Sequence, residues 1–542
     1  MNQTLGKETA DEITIGTFHS ICLKFLAQHD KALPLIEPYC AQAVAGEVLQ
    51  VLSQKGSAQK LLDKISRMKN GLTDSVTEPL DKACSLYQQK LSQYGVMDYD
   101  DVLLHALRLT EEGEMPSCRY LLVDEFQDIN ELQYRLICAW GKQNIFLIGD
   151  PDQSVYGFRG SDTEFFKRFL EEHPQTQQIC LLENYRSTPE ILSCALPVIQ
   201  KNPASGYERF LTARNNPGES VRLVTSESDF SEAIYIAKEI NRMVGGVDML
   251  DSSRHSDNGH RYGFSDFAVL YRTHRQASVL EKCLKKEGIP YTVSGREDFL
   301  EEESVRGILS FFSHLLHPED VLSLKVCLKT LMDGSEDMIQ HFPIHVFREV
   351  QTAEECYQKL PLSFQEDRAV EKWHRLAIRY LPMLEQERTQ KLIADFAAEL
   401  AIDEHPSVVR LINMACFFED PADFLLNLKL GRESDLIRSG TGFHSSDSVS
   451  LMTLHGAKGL EFPVVFLCGL KQPFLPLKTA KNTADTEEER RLFYVGMTRA
   501  QEKLILLTNG SPSRFLKEIP LHLLKEEKAS QDAAGPQQLR FF

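Results

Sequence analysis

The chain has 542 residues, 42% apolar and 25% charged, ordinary for a globular protein and enough for roughly three or four domains. Its 60 basic and 78 acidic residues leave a formal net charge of −18, so nucleic-acid binding would need a local basic groove on an acidic body. No apolar run approaches the ~18 residues of a membrane span, no signal-peptide pattern opens the chain, and the 12 cysteines form neither a C-x-x-C pair nor a zinc-spaced cluster; a cytoplasmic protein without membrane association or structural metal is expected.

Residues 31–97 read as a helical insertion into an α/β domain. Three short apolar runs that end in loops follow: RYLLVDE (119–125), NIFLIGD (144–150) and QICLLEN (178–184). Between the first two, Ile129, Leu132, Leu136, Ile137 and Trp140 fit one face of a helix. Strand, helix and strand with short connections predict a parallel βαβ unit, which presents its polar residues at the carboxyl ends of the strands. A second cluster holds VRLVTSE (221–227), FAVLYRT (267–273), VSLMTLHG (449–456), PVVFLCGL (463–470) and KLILLTN (503–509). It is interrupted by a helical stretch over about 301–440, which predicts one α/β domain with an inserted helical domain. The polar segment after about residue 516, with ASQDAAGPQQ, is expected to be flexible.

Chemistry concentrates at the predicted strand ends. Asp124 and Glu125 close the first run; one carboxylate there can hold Mg²⁺ and a second can take a proton from an attacking water. GDPDQSVYGFRGS (149–161) puts Gln153, Tyr156, Phe158 and Arg159 in one loop, an amide able to sense a phosphate beside a stacking platform for single-stranded bases. Tyr185 and Arg186 follow the third run, pairing an aromatic face with a guanidinium that can reach phosphate. LMTLHGAKGLEF (451–462) carries Thr453, His455, Lys458 and Glu461. EEERRLFYVGMTRAQ (487–501) is a predicted helix with Arg490, Arg491 and Arg499, whose bland reading is a solvated charged face.

These five segments, in this order, resemble motifs II to VI of superfamily 1 DNA helicases of the UvrD/Rep/PcrA type. GTFHS (16–20) is similar to an earlier single-strand-contacting motif, and MDYDDVL (97–103) to the return from the first insertion. The resemblance spans about residues 13–510. It implies an α/β fold with two RecA-like parallel-sheet domains, the first (1–30 and 98–188) incomplete with its insertion at 31–97. The second would comprise 189–300 and 441–515 with its insertion at 301–440, before a tail at 516–542. It implies ATP and Mg²⁺ as cofactors and single-stranded and partly duplex DNA as substrate. Asp124 would hold Mg²⁺, Glu125 would activate water, and Gln153 would sense the γ-phosphate. Tyr185 would stack on adenine, Glu461 would bind the ribose, and Arg186 and Arg499 would contact the γ-phosphate. Phe18, His19, Tyr156, Phe158, Arg159, Thr453 and His455 would line the strand, Phe158 standing where relatives commonly carry Trp. Closure of the two domains around ATP would drive 3′-to-5′ steps, in DNA repair or replication.

A phosphate loop needs Gly-x-x-x-x-Gly-Lys-Ser/Thr, so that converging backbone N–H groups and a lysine cradle the phosphates. LGKET (5–9) and WGKQN (141–145) both fail that pattern. The expectation is a truncated form whose first sheet lacks a core strand, leaving its apolar neighbours without a packing partner. The alternative is a non-hydrolysing single-strand-binding or regulatory module; no nuclease-like cluster follows the last motif. The terminal QLRFF resembles a sliding-clamp peptide, with Gln538 hydrogen-bonding and Leu539, Phe541 and Phe542 filling an apolar pocket.

Overall fold

The computed structural model describes residues 13–72, 78–116, 118–141, 144–157, 164–203, 210–245, 262–294, 299–343, 346, 350, 352–431, 447–478 and 485–529. Phe158, Arg159, Gln538, Leu539, Phe541 and Phe542 lie outside them. Contacts divide the chain into two compact units. One comprises Met1–Leu122, Asn130–Phe146 and Asp298–Ile437; the other comprises Val123–Ile129, Leu147–Glu297 and Arg438–Phe542. Both predicted helical insertions fall in the first unit.

In the first unit, helices Phe18–Gln28, Tyr99–Glu111 and Glu131–Trp140 bury Cys22, Phe25, Leu103, Leu136 and Trp140 against one another. The last of these is the helix expected from the 129–140 periodicity. Asp98 begins the second with a reciprocal capping box to Asp101. Both carboxylates also receive the buried Lys69 ammonium, at 2.7 and 2.8 Å, which ties helix Ala58–Lys69 to that cap. Residues after 300 form a helical core around Trp373, Phe311 and Phe396, the latter two rings stacked at 4.2 Å.

The first sheet is small. Strand β1 (Leu121–Val123) runs beside β2 (Ile145–Leu147), joined by Leu121 N–H to the Asn144 carbonyl and Ile148 N–H to the Val123 carbonyl. Leu122 is 68% exposed and Phe146 55%: Leu121 packs on the helical core, but among the described residues no layer covers Leu122 and Phe146. The third expected strand is corrected by the structure. Only Glu183–Asn184 is extended into a ladder (β3), pairing with Thr212–Ala213 (β4), while Ile179 and Leu181 stand 71% and 84% exposed. An apolar run makes a buried strand only where a neighbouring layer covers it, and none does so among the described residues.

The second unit is built on a sheet of β5 (Val221–Ser226), β6 (Phe267–Tyr271), β7 (Tyr291–Val293), β8 (Val449–Thr453), β9 (Phe462–Leu467), β10 (Ala500–Asn509) and β11 (Leu524–Lys528). Its order is β11-β5-β10-β9-β6-β8-β7, with every pair parallel. Alternate side chains leave opposite faces: Ala268, Leu270, Val465 and Leu467 join one core, and Phe267, Val269, Val464 and Phe466 the other. Burial on both faces explains why these strands read as continuous apolar runs. The five expected strands are all present. β7 and β11, with few apolar residues, escaped sequence reading. The tail expected to be flexible from 516 is corrected as well: Phe515, Leu516, Ile519 and Leu524 are buried, and β11 completes one edge of the sheet.

At the carboxyl ends of β9 and β10, the buried Glu232 accepts hydrogen bonds from Gly469 N–H and the Asn509 amide. Gly469 has φ +67°, where any other side chain would be strained, and a Cβ there would also displace the Gln276 amide, which it would meet at 2.0 Å. Burial pushes the Glu232 carboxyl from 4.5 to about 7. Between those values the unfolded chain gives up this proton first, so this group's contribution to stability falls as pH rises. The stability of Glu232→Gln relative to the unaltered chain should therefore climb from pH 4.5 to 7, read as urea midpoints. A difference constant with pH would show that this carboxyl does not titrate on unfolding.

Candidate active site

The backbone turns sharply after β1. Glu125 takes a left-handed conformation, φ 53°, and its N–H donates to Asp124 Oδ1 at 2.9 Å. A non-glycine residue held there carries local strain, a cost found most often at functional positions. Phe126 anchors the turn, fully buried, with its N–H on the Ile148 carbonyl and its ring edge-on to Phe166 at 4.9 Å. Asp124 is exposed and Glu125 half-buried, so the two adjacent carboxylates remain open to solvent.

Behind them lies Gln127, 2% exposed. Its amide donates to Glu125 Oε2 at 2.5 Å and its carbonyl oxygen accepts from Asp150 N–H at 2.9 Å. It therefore joins the first acidic turn to the loop after β2. In that loop Asp150 Oδ2 accepts from the Gln153 amide at 2.7 Å. The Gln153 side-chain oxygen accepts in turn from Arg499 Nη2 at 3.3 Å.

Arg499 is the most buried cation of the site, 1% exposed. Its other donors go to the carbonyls of Val495 and Leu460, both at 3.1 Å. Burial, with the Arg186 guanidinium nearby, brings its pKa down to about 10, so it stays charged at neutral pH. A buried guanidinium held by carbonyls and an amide suits an incoming anion. Arg186 donates to Glu461 at 2.6 Å, which holds the Glu461 carboxyl below its usual range, and Gln501 donates to the same carboxylate at 3.0 Å. Tyr185 is 70% exposed, its hydroxyl on Glu183, with its ring free to stack.

Lys458 is the group that sequence reading placed in a motif without a role. Its ammonium donates to both oxygens of Asp128 and to the Gln153 carbonyl, each at 2.6 Å, and lies 3.9 Å from Glu125 and 5.2 Å from the Tyr156 ring centroid. It joins three of the predicted segments. The Tyr156 hydroxyl donates to the His455 carbonyl at 3.4 Å, and Thr453 Oγ1, at the end of β8, accepts from Gly456 N–H. Tyr156, Thr453 and His455 are half-buried. Phe18 and His19 belong to the first unit, in the opening turn of helix Phe18–Gln28, His19 edge-on to Tyr99 at 5.4 Å.

The structure thus links Glu125 to Arg499 through Gln127, Asp150 and Gln153, and sets the Arg186–Glu461 pair close enough to Arg499 to act on its charge. Residues 1–174 match the UvrD/REP helicase N-terminal domain, and residues 179–511 the UvrD-like helicase C-terminal domain. The chain belongs to the UvrD-like DNA helicase family. An ATP-dependent DNA helicase PcrA of Staphylococcus aureus is 28% identical, the match covering 98% of this chain and 79% of the relative. That of Staphylococcus epidermidis is 30% identical, over 95% and 77%. A crystal structure of the C-terminal domain of a possible DNA helicase from Lactobacillus plantarum matches with a TM-score of 0.25 and 13% identity, covering 63% of this chain and 98% of that one.

In this UvrD-like chain, Gln127, Asp128 and Lys458 are the site residues that motif reading left without a role. The signal was present, since Gln127 and Asp128 sit in the same VDEFQD run as Glu125. Among the described residues no helix is long and apolar enough to cross a membrane.

Proposed function

We propose that this family member is an ATP- and Mg²⁺-dependent translocase that moves 3′ to 5′ on single-stranded DNA and separates duplex, in DNA repair or replication. The observation that carries it is Arg499, buried and charged, joined to the acidic turn through Gln153, Asp150 and Gln127. The residues fit both cofactors: the open carboxylates of Asp124 and Glu125 suit a hard cation, and Arg499 and Arg186 suit phosphate. Asp124 would hold Mg²⁺, which supplies positive charge against the nucleotide phosphates. Glu125 takes the proton of the attacking water, oriented by the Gln127 amide. Arg186 exchanges its Glu461 carboxylate for a phosphate oxygen, and Glu461, so released, accepts from a ribose hydroxyl. Tyr185 presents its ring to the adenine. Gln153 reports the state of Arg499 to the loop that carries Tyr156, Phe158 and Arg159, and these, with Phe18, His19, Thr453 and His455, hold the strand. Gln538, Leu539, Phe541 and Phe542 form a clamp-docking peptide in the same reading, carried by sequence alone.

A second reading, a single-strand-binding module that does not hydrolyse ATP, is favoured by one observation: residues 1–542 contain no Gly-x-x-x-x-Gly-Lys-Ser/Thr run. ATP hydrolysis measured with and without oligo-dT separates the two. The first reading expects DNA-stimulated hydrolysis and faster displacement of a 5′-end block than of a 3′-end block. Tight oligo-dT binding with no hydrolysis above buffer would replace it by the second.

A further inference from the structure

The predicted helix of the last motif is present as Thr486–Met497, capped by Asp485, which accepts from Glu487 and Glu488 N–H. Its charged run is no solvated face. Glu489 is 3% exposed and takes Arg272 at 2.7 Å and Leu477 N–H at 2.9 Å. Arg490 donates to Glu518 at 2.8 Å and to the side-chain oxygen of Asn202. These two fasten the helix within the second unit.

Glu488 and Arg491 do something else. They stand one turn apart on one face of the helix and both reach the loop after β2. The Glu488 carboxylate accepts from Gly157 N–H at 2.9 Å, and Arg491 Nε donates to the Ser154 carbonyl at 2.6 Å. The anion meets a donor and the cation an acceptor, three residues apart on helix and loop alike. A Cβ on residue 157 would lie 3.1 Å from Glu488, so glycine permits the approach. The same loop is met at Gln153 by Arg499, two residues beyond the end of the helix.

We propose that Glu488 and Arg491 are positioning residues that tether loop 153–157 to the helix leading into Arg499, so that a change of anion at Arg499 shifts the single-strand contacts of that loop. The proposal rests on the ATP-dependent reading above. Without the tether, Arg499 and Gln153 share one hydrogen bond, which moves a side chain; with it, helix and loop backbone move as one body. Transmission of this kind needs an element that both sites bias, and the tethered loop is that element.

The test uses the full chain and a dye-labelled oligo-dT. Affinity is measured by anisotropy without nucleotide and with a non-hydrolysable ATP analogue plus Mg²⁺. The unaltered chain should change its affinity by about tenfold on nucleotide addition. The double variant Glu488→Ala, Arg491→Ala should lose most of that change, whereas Glu488→Gln, which keeps an oxygen for Gly157 N–H, should retain it. Hydrogen exchange without nucleotide reads the tether alone: amides of 154–157 should exchange faster in the double variant, with those of β9 and β10 unchanged. A double variant that keeps the full nucleotide effect overturns the proposal, whatever its exchange. An unaltered chain indifferent to nucleotide removes the ATP-dependent reading and transmission together, a result distinct from failure of the variants.

Discussion

Replacing Glu125 by Gln is expected to lower single-strand-stimulated ATP hydrolysis by about 10²–10⁴-fold, the usual loss when a general base is removed. The amide is isosteric and can still meet Gln127, so the strained turn at residue 125 and the Phe126 anchor should persist. What disappears is the capacity to accept a proton. The loss should therefore fall on kcat, with oligo-dT affinity unchanged and the same urea midpoint. Equal hydrolysis by the two chains would remove Glu125 from the chemistry. Asp128 could not take its place as base, since both of its oxygens receive Lys458.

Replacing Arg499 by Ala should lower the same rate by about 10³–10⁵-fold, the range for a guanidinium that meets charge developing on a transferring phosphoryl group. This residue is buried, so the substitution also takes its donor from the Leu460 carbonyl, while the Val495 carbonyl keeps the Thr498 hydroxyl. An unmatched buried acceptor costs about 1–3 kcal/mol, which should appear as a lower unfolding midpoint. Arg499→Lys separates the two effects. The ammonium keeps the positive charge but cannot span two carbonyls, Gln153 and a phosphate together. Lys should therefore recover part of the stability and little of the rate. Full activity in Arg499→Lys would show that charge alone suffices. An unchanged rate in Arg499→Ala would leave the residue a structural pin.

The strands of the large sheet were legible because a strand buried on both faces must be apolar at nearly every position, as β6 is from Phe267 to Tyr271. The site residues were legible for a related reason: Asp124, Glu125, Gln153, Arg186, Glu461 and Arg499 stand in short runs beside predicted strands and helices. Sequence alone therefore determined the α/β class and the five inner strands of the large sheet, and it singled out candidate side chains for chemistry. It went astray where a local pattern needs a partner it cannot name. QICLLEN carries a strand's apolar run, yet Ile179 and Leu181 are exposed because no described layer covers them. Conversely, LKEEK has no apolar run and still pairs with β5, since an edge strand needs only its backbone and a neighbour.

Only the tertiary structure decided what the charged groups do. EERR at 488–491 is indistinguishable in sequence from a solvated helix face, yet each of its four charges has a different partner. Lys458 meets Asp128 across 330 positions of chain, and Arg499 meets Gln153 across 346. Periodicity reports which face of an element is buried, because that follows from the element's own repeat. Which distant charge lies against that face follows from the path of the chain, and the path is a property of the packed whole.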